Sequence, residues 1–167
     1  NGLPEKGYVA ELVIAAFAKQ GYRVKIEFYP WARARQLASE GKVDGILPIF
    51  NDSESENREQ LIYSKPFPGD TIGLLKKKSF PFSYSSKSLK DKTAFVSQFE
   101  KYSISMVRGS ISLPVFKEFP FAKKQIISKD IQSLDMLEMD RIQFALIDKY
   151  TAADLLTSER PHLIGHF

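Results

Sequence analysis

Arg23-Val24-Lys25-Ile26-Glu27-Phe28 alternates polar and apolar side chains, the period-two signature of a strand with one buried face. Pro30 closes that run, because proline has no N–H to give a ladder. From Trp31 to Glu40 the period changes: Ala34, Leu37 and Ala38 fall on one helical face, and Gly41 follows as a C-terminal stop. Val43-Asp44-Gly45-Ile46-Leu47 then reads as a second, buried strand. Strand, helix and strand in close succession predict an α/β protein, with parallel strands and helices on both faces of the sheet.

The same grammar extends in both directions. Upstream, Val9, Leu12, Val13, Ala16 and Phe17 mark one face of an amphipathic helix over Gly7 to Gln20, ended by Gly21. Downstream, Asn51 to Asn57 is a polar, acidic loop, and Pro66-Phe67-Pro68-Gly69-Asp70 is the strongest break in the chain. A strand over Thr71 to Leu75 and a Ser/Lys-rich passage over Ser79 to Ser88 follow. Ser88-Leu89-Lys90-Asp91 has capping-box spacing and predicts a helix start. Tyr102 to Val107 reads as a strand that turns at Arg108-Gly109-Ser110 into a helix with Val115 and Phe116. Gln125 to Ile127 is a short strand, and Asp130 or Ser133 can cap the helix that holds Leu134 and Leu137. Gln143 to Ile147 is the last buried strand, and a helix runs from Asp148 through Leu155 and Leu156. Two alternations on either side of the break imply two α/β lobes, 1–68 and 69–167, and small ligands favour the cleft between such lobes.

Composition narrows the function. The 167 residues are 43% hydrophobic and 13% aromatic, enough to build a core and unlike a disordered chain. Val9 to Ala18, the most apolar stretch, is too short to span a bilayer. The net charge of +4 is mild, and nucleic acid requires a basic face rather than a small excess, so no nucleic-acid partner is expected. Lys76-Lys77-Lys78 reads as a solvated strand end in preference to a phosphate contact. With no cysteine, disulfides and thiolate chemistry are excluded. His162 and His166 have no acidic or cysteine partner close in sequence, so no metal site is expected. Arg108-Gly109-Ser110-Ile111-Ser112 is not a nucleophile elbow, phosphate-loop spacing is absent, and no carboxylate pair stands out for acid–base work. The reading is therefore of a binding protein without cofactor, not an enzyme. The chain opens at Asn1 rather than Met, which fits a mature or excised segment.

A resemblance sharpens this. Gly41-Lys42-Val43-Asp44-Gly45-Ile46, then Arg58, then Tyr63-Ser64-Lys65-Pro66-Phe67 resemble the "G-K-x-D, R, F-S-x-P-[YF]" string of bacterial periplasmic solute-binding proteins. The family is that of polar amino acid ABC transporters, the family 3 extracellular solute-binding proteins. Gly7-Tyr8 before the first helix, Val107-Arg108-Gly109-Ser110 and Ala145-Leu146-Ile147-Asp148 are similar to further family segments, in order over nearly the whole chain. The resemblance implies a type II periplasmic-binding-protein fold, two α/β lobes closing by hinge motion on a small ligand. It also implies a periplasmic, monomeric protein that passes an amino acid or similar zwitterion to the membrane permease of an ABC importer.

Ligand contacts follow from the same resemblance. Arg58 matches the arginine that grips the ligand carboxylate, a role its planar fork suits, although an exposed loop arginine is the plainer alternative. Asp148 matches the acid that accepts the ligand ammonium, and a helix N-cap is its alternative. Gly109 and Ser110 lie at a strand-to-helix turn with free N–H groups, or form a plain cap. Trp31 matches an aromatic that stacks on the ligand, or else is a core residue; Arg33 and Tyr8 are further candidates.

The chain also departs from the family. Lobe one lacks the family's first strand and its C-terminal return, so Val13, Phe17 or Ile46 is expected to show apolar surface. Pro48-Ile49-Phe50-Asn51 replaces the small hydroxyl residues common there, and Gln143 stands where an acid is usual. The other readings are a periplasmic ligand-sensing domain of a kinase or cyclase receptor, an enzyme of the same fold, and the effector domain of a transcription regulator.

Overall fold

In the computed structural model the described residues are 7–49, 61–65, 71–83, 91–108 and 119–167. The Asn51 to Asn57 loop, the break over Pro66 to Asp70, Ser88 and the helix of Val115 and Phe116 lie outside them. Helix α1 spans Tyr8–Ala18 and α2 spans Trp31–Ser39. Both end as the glycines predict. Gly21, at φ 80°, donates its N–H to the Ala18 carbonyl at 3.0 Å, and Tyr22 reaches back to Phe17 at 3.0 Å. Gly41, at φ 64°, repeats the motif: its N–H meets Ala38 at 3.1 Å and that of Lys42 meets Leu37 at 2.9 Å. These paired bonds are the Schellman closure, which needs a left-handed residue after the helix.

The strands expected over Arg23 to Phe28 and Val43 to Leu47 are not found as ladders among the described residues. In the first of them the alternation of burial holds at Val24 and Ile26 but not at Phe28, which is 48% exposed. Val24 and Ile26 are partly buried, while Lys25, Glu27 and Tyr29 share the opposite, exposed side. There Lys25 Nζ meets Glu27 Oε1 at 2.5 Å, and Tyr29 Oη donates to Glu27 Oε2 at 2.7 Å. Alternation decides which side chains face inward, but a ladder also needs a neighbouring edge to pair with. In the described part of this half, Ala10 and Leu37 are the buried hydrophobic residues, and Phe17 is 50% exposed. Val13 and Ile46 are partly buried.

The second half is built around a four-stranded sheet. Strands β1 (Ile72–Leu75), β2 (Ser103–Val107), β3 (Lys123–Ile127) and β4 (Phe144–Asp148) lie in the order β1-β4-β2-β3. β2 pairs in parallel with both β3 and β4, whereas β1 runs antiparallel to β4, with Ile72 opposite Asp148 and Leu75 opposite Ala145. The sheet is thus mixed, a correction to the all-parallel expectation. Alternating strands and helices fix the direction of successive crossover-linked strands only, and β1 and β4 are not successive.

Helix α3 spans Lys92–Ser97, and its N-cap is Asp91, which accepts from the Ala94 N–H at 3.1 Å. The acid expected inside the capping box is therefore the cap itself. Helices α4 (Ile131–Glu138) and α5 (Lys149–Ser158) follow β3 and β4. β4 carries the core on both sides. Phe144 and Leu146 join Phe99, Ile104, Met106 and Phe121 on one face, while Ala145 packs with Leu137 and Ile142 on the other. The Phe144 ring lies 5.0 Å from Phe82, 5.4 Å from Phe99, 5.6 Å from Tyr102 and 5.7 Å from Phe80. Such offset and edge-on pairs add about 0.5–1.5 kcal/mol each beyond the burial of area.

The lysine run is more tied down than a solvated strand end. Lys76 Nζ donates to the Phe80 carbonyl at 2.9 Å, and Lys77 Nζ to the Glu138 carbonyl at 3.2 Å and Asp140 Oδ1 at 3.0 Å. Both stems are partly buried, and Lys78 is exposed.

Candidate functional site

Three parallel strands point their carboxyl ends to one edge of the sheet, where α/β folds hold their ligands. β4 ends there in Asp148, β2 in Val107 followed by Arg108, and β3 in Ile127 followed by Ser128-Lys129-Asp130. The edge is stitched by backbone: the Arg108 N–H donates to the Ile127 carbonyl at 2.9 Å, and that of Lys149 to the Thr71 carbonyl at 3.0 Å.

Asp148 takes the extended conformation of an N-cap, and its Oδ1 accepts from the Thr151 N–H at 2.7 Å. The cap role is therefore present. Among the described residues Thr151 is the only partner of this partly buried carboxylate, so acceptor capacity is left over.

Asp130 was legible only as a cap, and the structure corrects that reading. It stands ahead of α4 with helical φ −58° and ψ −32°, and its side chain makes no cap bond. Gln132 Oε1 folds back onto the chain ahead of the helix, accepting from the Ser128 N–H at 3.0 Å and the Lys129 N–H at 3.1 Å. Nor does Ser133 cap; it is wholly buried inside α4, and its Oγ accepts from Ser105 Oγ at 2.8 Å. The Asp130 carboxyl is held above the usual carboxylate range. Burial is the main cause, a bond from its own backbone offsets part, and the Asp148 charge adds to the rise. The structure thus brings Asp130 and Asp148 within each other's field, a pairing that residues eighteen positions apart do not advertise in sequence.

Other expected contacts are distributed differently. Arg58, Gly109 and Ser110 lie outside the described residues. Tyr8 opens α1 and is exposed; Trp31 opens α2 and is partly buried. Arg33 Nη1 donates to Gln36 Oε1 at 2.9 Å along the surface of α2. No group of residues able to hold a metal occurs among the described ones.

No protein-family model matches the sequence, and no curated protein matches it. Solved structures do. One is an ancestral arginine-binding protein bound to arginine, at TM-score 0.66 and 16% identity, over 88% of this chain and 62% of that one. Another is an amino acid ABC transporter substrate-binding protein from Streptococcus pneumoniae bound to L-arginine, at TM-score 0.56 and 16% identity, over 89% and 58%. A third is the ancestral amino acid-binding protein AncCDT-1, a precursor of cyclohexadienyl dehydratase, at TM-score 0.59 and 18% identity, over 89% and 63%. The chain has the type II periplasmic-binding-protein fold. It spans less than two thirds of the length of each of these three structures. Within the type II fold, the mixed sheet with its antiparallel β1 is the part described most fully here, and Asp148 and Asp130 stand at its carboxyl edge. No helix of the described residues is long and apolar enough to cross a membrane.

Proposed function

We propose that this chain is a solute-binding protein that captures an amino acid, or a similar small polar zwitterion, between two lobes. The observation that carries the reading is Asp148: a carboxylate at the end of a parallel strand, with one oxygen committed to the Thr151 amide and acceptor capacity to spare. Likeness of fold to amino acid-binding proteins supports the same choice. In this reading Asp148 accepts the ligand ammonium, and Arg58 grips the carboxylate from lobe one. Gly109 and Ser110 offer N–H groups, and Trp31, Arg33 and Tyr8 line the other side. Ligand that touches both lobes favours the closed state through its differential contacts, with no covalent step. The closed form is then handed, in the periplasm, to the permease of an ABC importer, and the binding protein works as a monomer.

Calorimetry with a panel of amino acids tests this. Asp148→Asn keeps an oxygen for the cap but removes the charge, so the fold should stay intact while affinity falls. Losing one partner of a buried charge pair typically costs about 2–5 kcal/mol, or roughly 30-fold and more in Kd. An unchanged Kd in this variant, or the absence of binding to any amino acid by the parent chain, overturns the proposal.

A further inference from the structure

The four-stranded sheet has a second edge, opposite the one that carries Asp148, and it is basic. Each strand contributes an exposed cation there: Lys78 follows β1, Arg141 precedes β4, Lys101 precedes β2, and Lys123 opens β3. Because β1 runs antiparallel to β4, its carboxyl end meets the amino ends of the other three. The Gln143 N–H donates to the Ser103 carbonyl at 3.1 Å, and the Ala122 N–H to the Tyr102 carbonyl at 2.9 Å. These bonds hold the starts of β4, β2 and β3 level. In the order β1-β4-β2-β3 the four cations therefore form a row, with roughly 5 Å between neighbouring strands.

Little in the described fold balances this row. The segments that carry it, 76–80, 98–102, 119–124 and 139–143, hold seven Lys or Arg against two acids, Glu100 and Asp140. Asp140 is already engaged by Lys77 Nζ at 3.0 Å. Lys101 Nζ lies over the Tyr102 ring at 5.3 Å, and the side chains of Lys78, Lys123 and Arg141 have no partner among the described residues. Like charges on adjacent strands oppose folding, so the row is unfavourable until an anion outside the chain meets it.

Met139 adds a second feature. It is 60% exposed and stands two residues before Arg141 in the same turn. An apolar tip flanked by cations matches the boundary of a bilayer, where charge meets phosphate and the thioether reaches the acyl region. An acidic polymer would use the cations and leave Met139 in water.

We infer that this edge is a docking surface for an anionic phospholipid bilayer, with Lys78, Arg141, Lys101 and Lys123 on the headgroups and Met139 at the acyl boundary. Docked this way, the sheet turns its Asp148 edge away from the lipid, so the surface does not depend on the ligand proposed above.

Sedimentation of the 167-residue chain with vesicles tests it. Phosphatidylcholine vesicles with about one third phosphatidylglycerol should bind the chain, and phosphatidylcholine alone should not. Binding should fall steeply between about 0.05 and 0.5 M salt as the Debye length shortens. Lys123→Gln and Arg141→Gln should each weaken partition about fivefold, whereas Lys129→Gln, the same charge change at the opposite edge, should stay near the parent value. Met139→Gln should weaken it about fourfold, the worth of one buried methylene. All four side chains are exposed, so the variants should melt with the parent. If the anionic vesicles do not bind the chain, or Lys129→Gln weakens binding as much as Lys123→Gln, the edge has no such role. If Met139→Gln changes nothing and poly-L-glutamate binds as tightly as the vesicles, the partner is an acidic polymer and the lipid inference is overturned.

Discussion

Arg160 grips Asp135 through two parallel hydrogen bonds, Nε to Oδ1 at 2.7 Å and Nη2 to Oδ2 at 3.0 Å. The fork joins the turn after α5 to the outer side of α4. It also holds the Asp135 carboxyl below the usual carboxylate range, chiefly by hydrogen bonding. A group whose folded pKa is depressed adds stability above its unfolded pKa and loses it as pH falls through the folded one. Asp135 is 38% exposed, so screening limits the pair to about 1 kcal/mol. Arg160→Ala should therefore lower stability by about that much at pH 7, with the gap closing under acid. Urea titrations at neutral and acidic pH measure the gap; equal deficits at both would show that the loss is packing alone.

Asp130 carries the opposite sign. Its folded pKa lies above the unfolded one, so the native state binds the extra proton, and stability is lost as pH rises through the folded value. Asp130→Asn should melt higher than the parent at neutral pH and match it at acidic pH. A thermal melt series across pH reads this directly, and a lower neutral melting point would contradict it.

Phe144 is 2% exposed and meets the rings of Phe80, Phe82, Phe99 and Tyr102. Phe144→Ala should cost about 3–5 kcal/mol, a large share of a domain's total stability. Phe144→Leu, which keeps most of the volume, should cost much less. Similar losses for the two variants in guanidinium unfolding would mean that the cluster does not pack as described.

Gly41 and Gly45 form a matched pair for a backbone test. A Cβ on either meets nothing within 4 Å, but Gly41 alone of the two has a positive φ, +64°. Gly41→Ala should therefore destabilise by about 1–2 kcal/mol through the left-handed conformation, and Gly45→Ala should be near neutral. Equal effects in denaturant titrations would remove the Schellman explanation for the end of α2.

The ends of α1 and α2, strands β1 to β4 and the helices after Asp130 and Asp148 were all legible in sequence. They depend on local signals: a glycine that must turn left-handed, apolar runs such as Phe144 to Ile147, and side chains able to cap. What was not legible depends on neighbours. Arg23 to Phe28 has a strand's alternation without a described partner, and the antiparallel direction of β1 is a property of β4's free edge. Phe80, Phe82, Phe99, Phe121 and Phe144 share no period, so their convergence follows only from the assembled sheet. Of the proposed site, resemblance alone singled out Asp148 as a ligand contact, and its cap role was legible from the strand-to-helix junction. Asp130 read as a cap because a short acid before a helix is ordinarily one, and only the structure shows its helical φ and ψ and the lack of a side-chain cap bond.

Asp148 closes a strand that has a ladder on both sides and four consecutive buried residues ahead of it. Amide protons along Phe144 to Ile147 should therefore be among the slowest in the chain to exchange with deuterated solvent. Asp148 is anchored to that slow segment, so if it holds a ligand as proposed, binding should leave the segment's exchange almost unchanged. Under the proposed function, protection gained on adding an amino acid should fall instead on faster-exchanging segments of the chain.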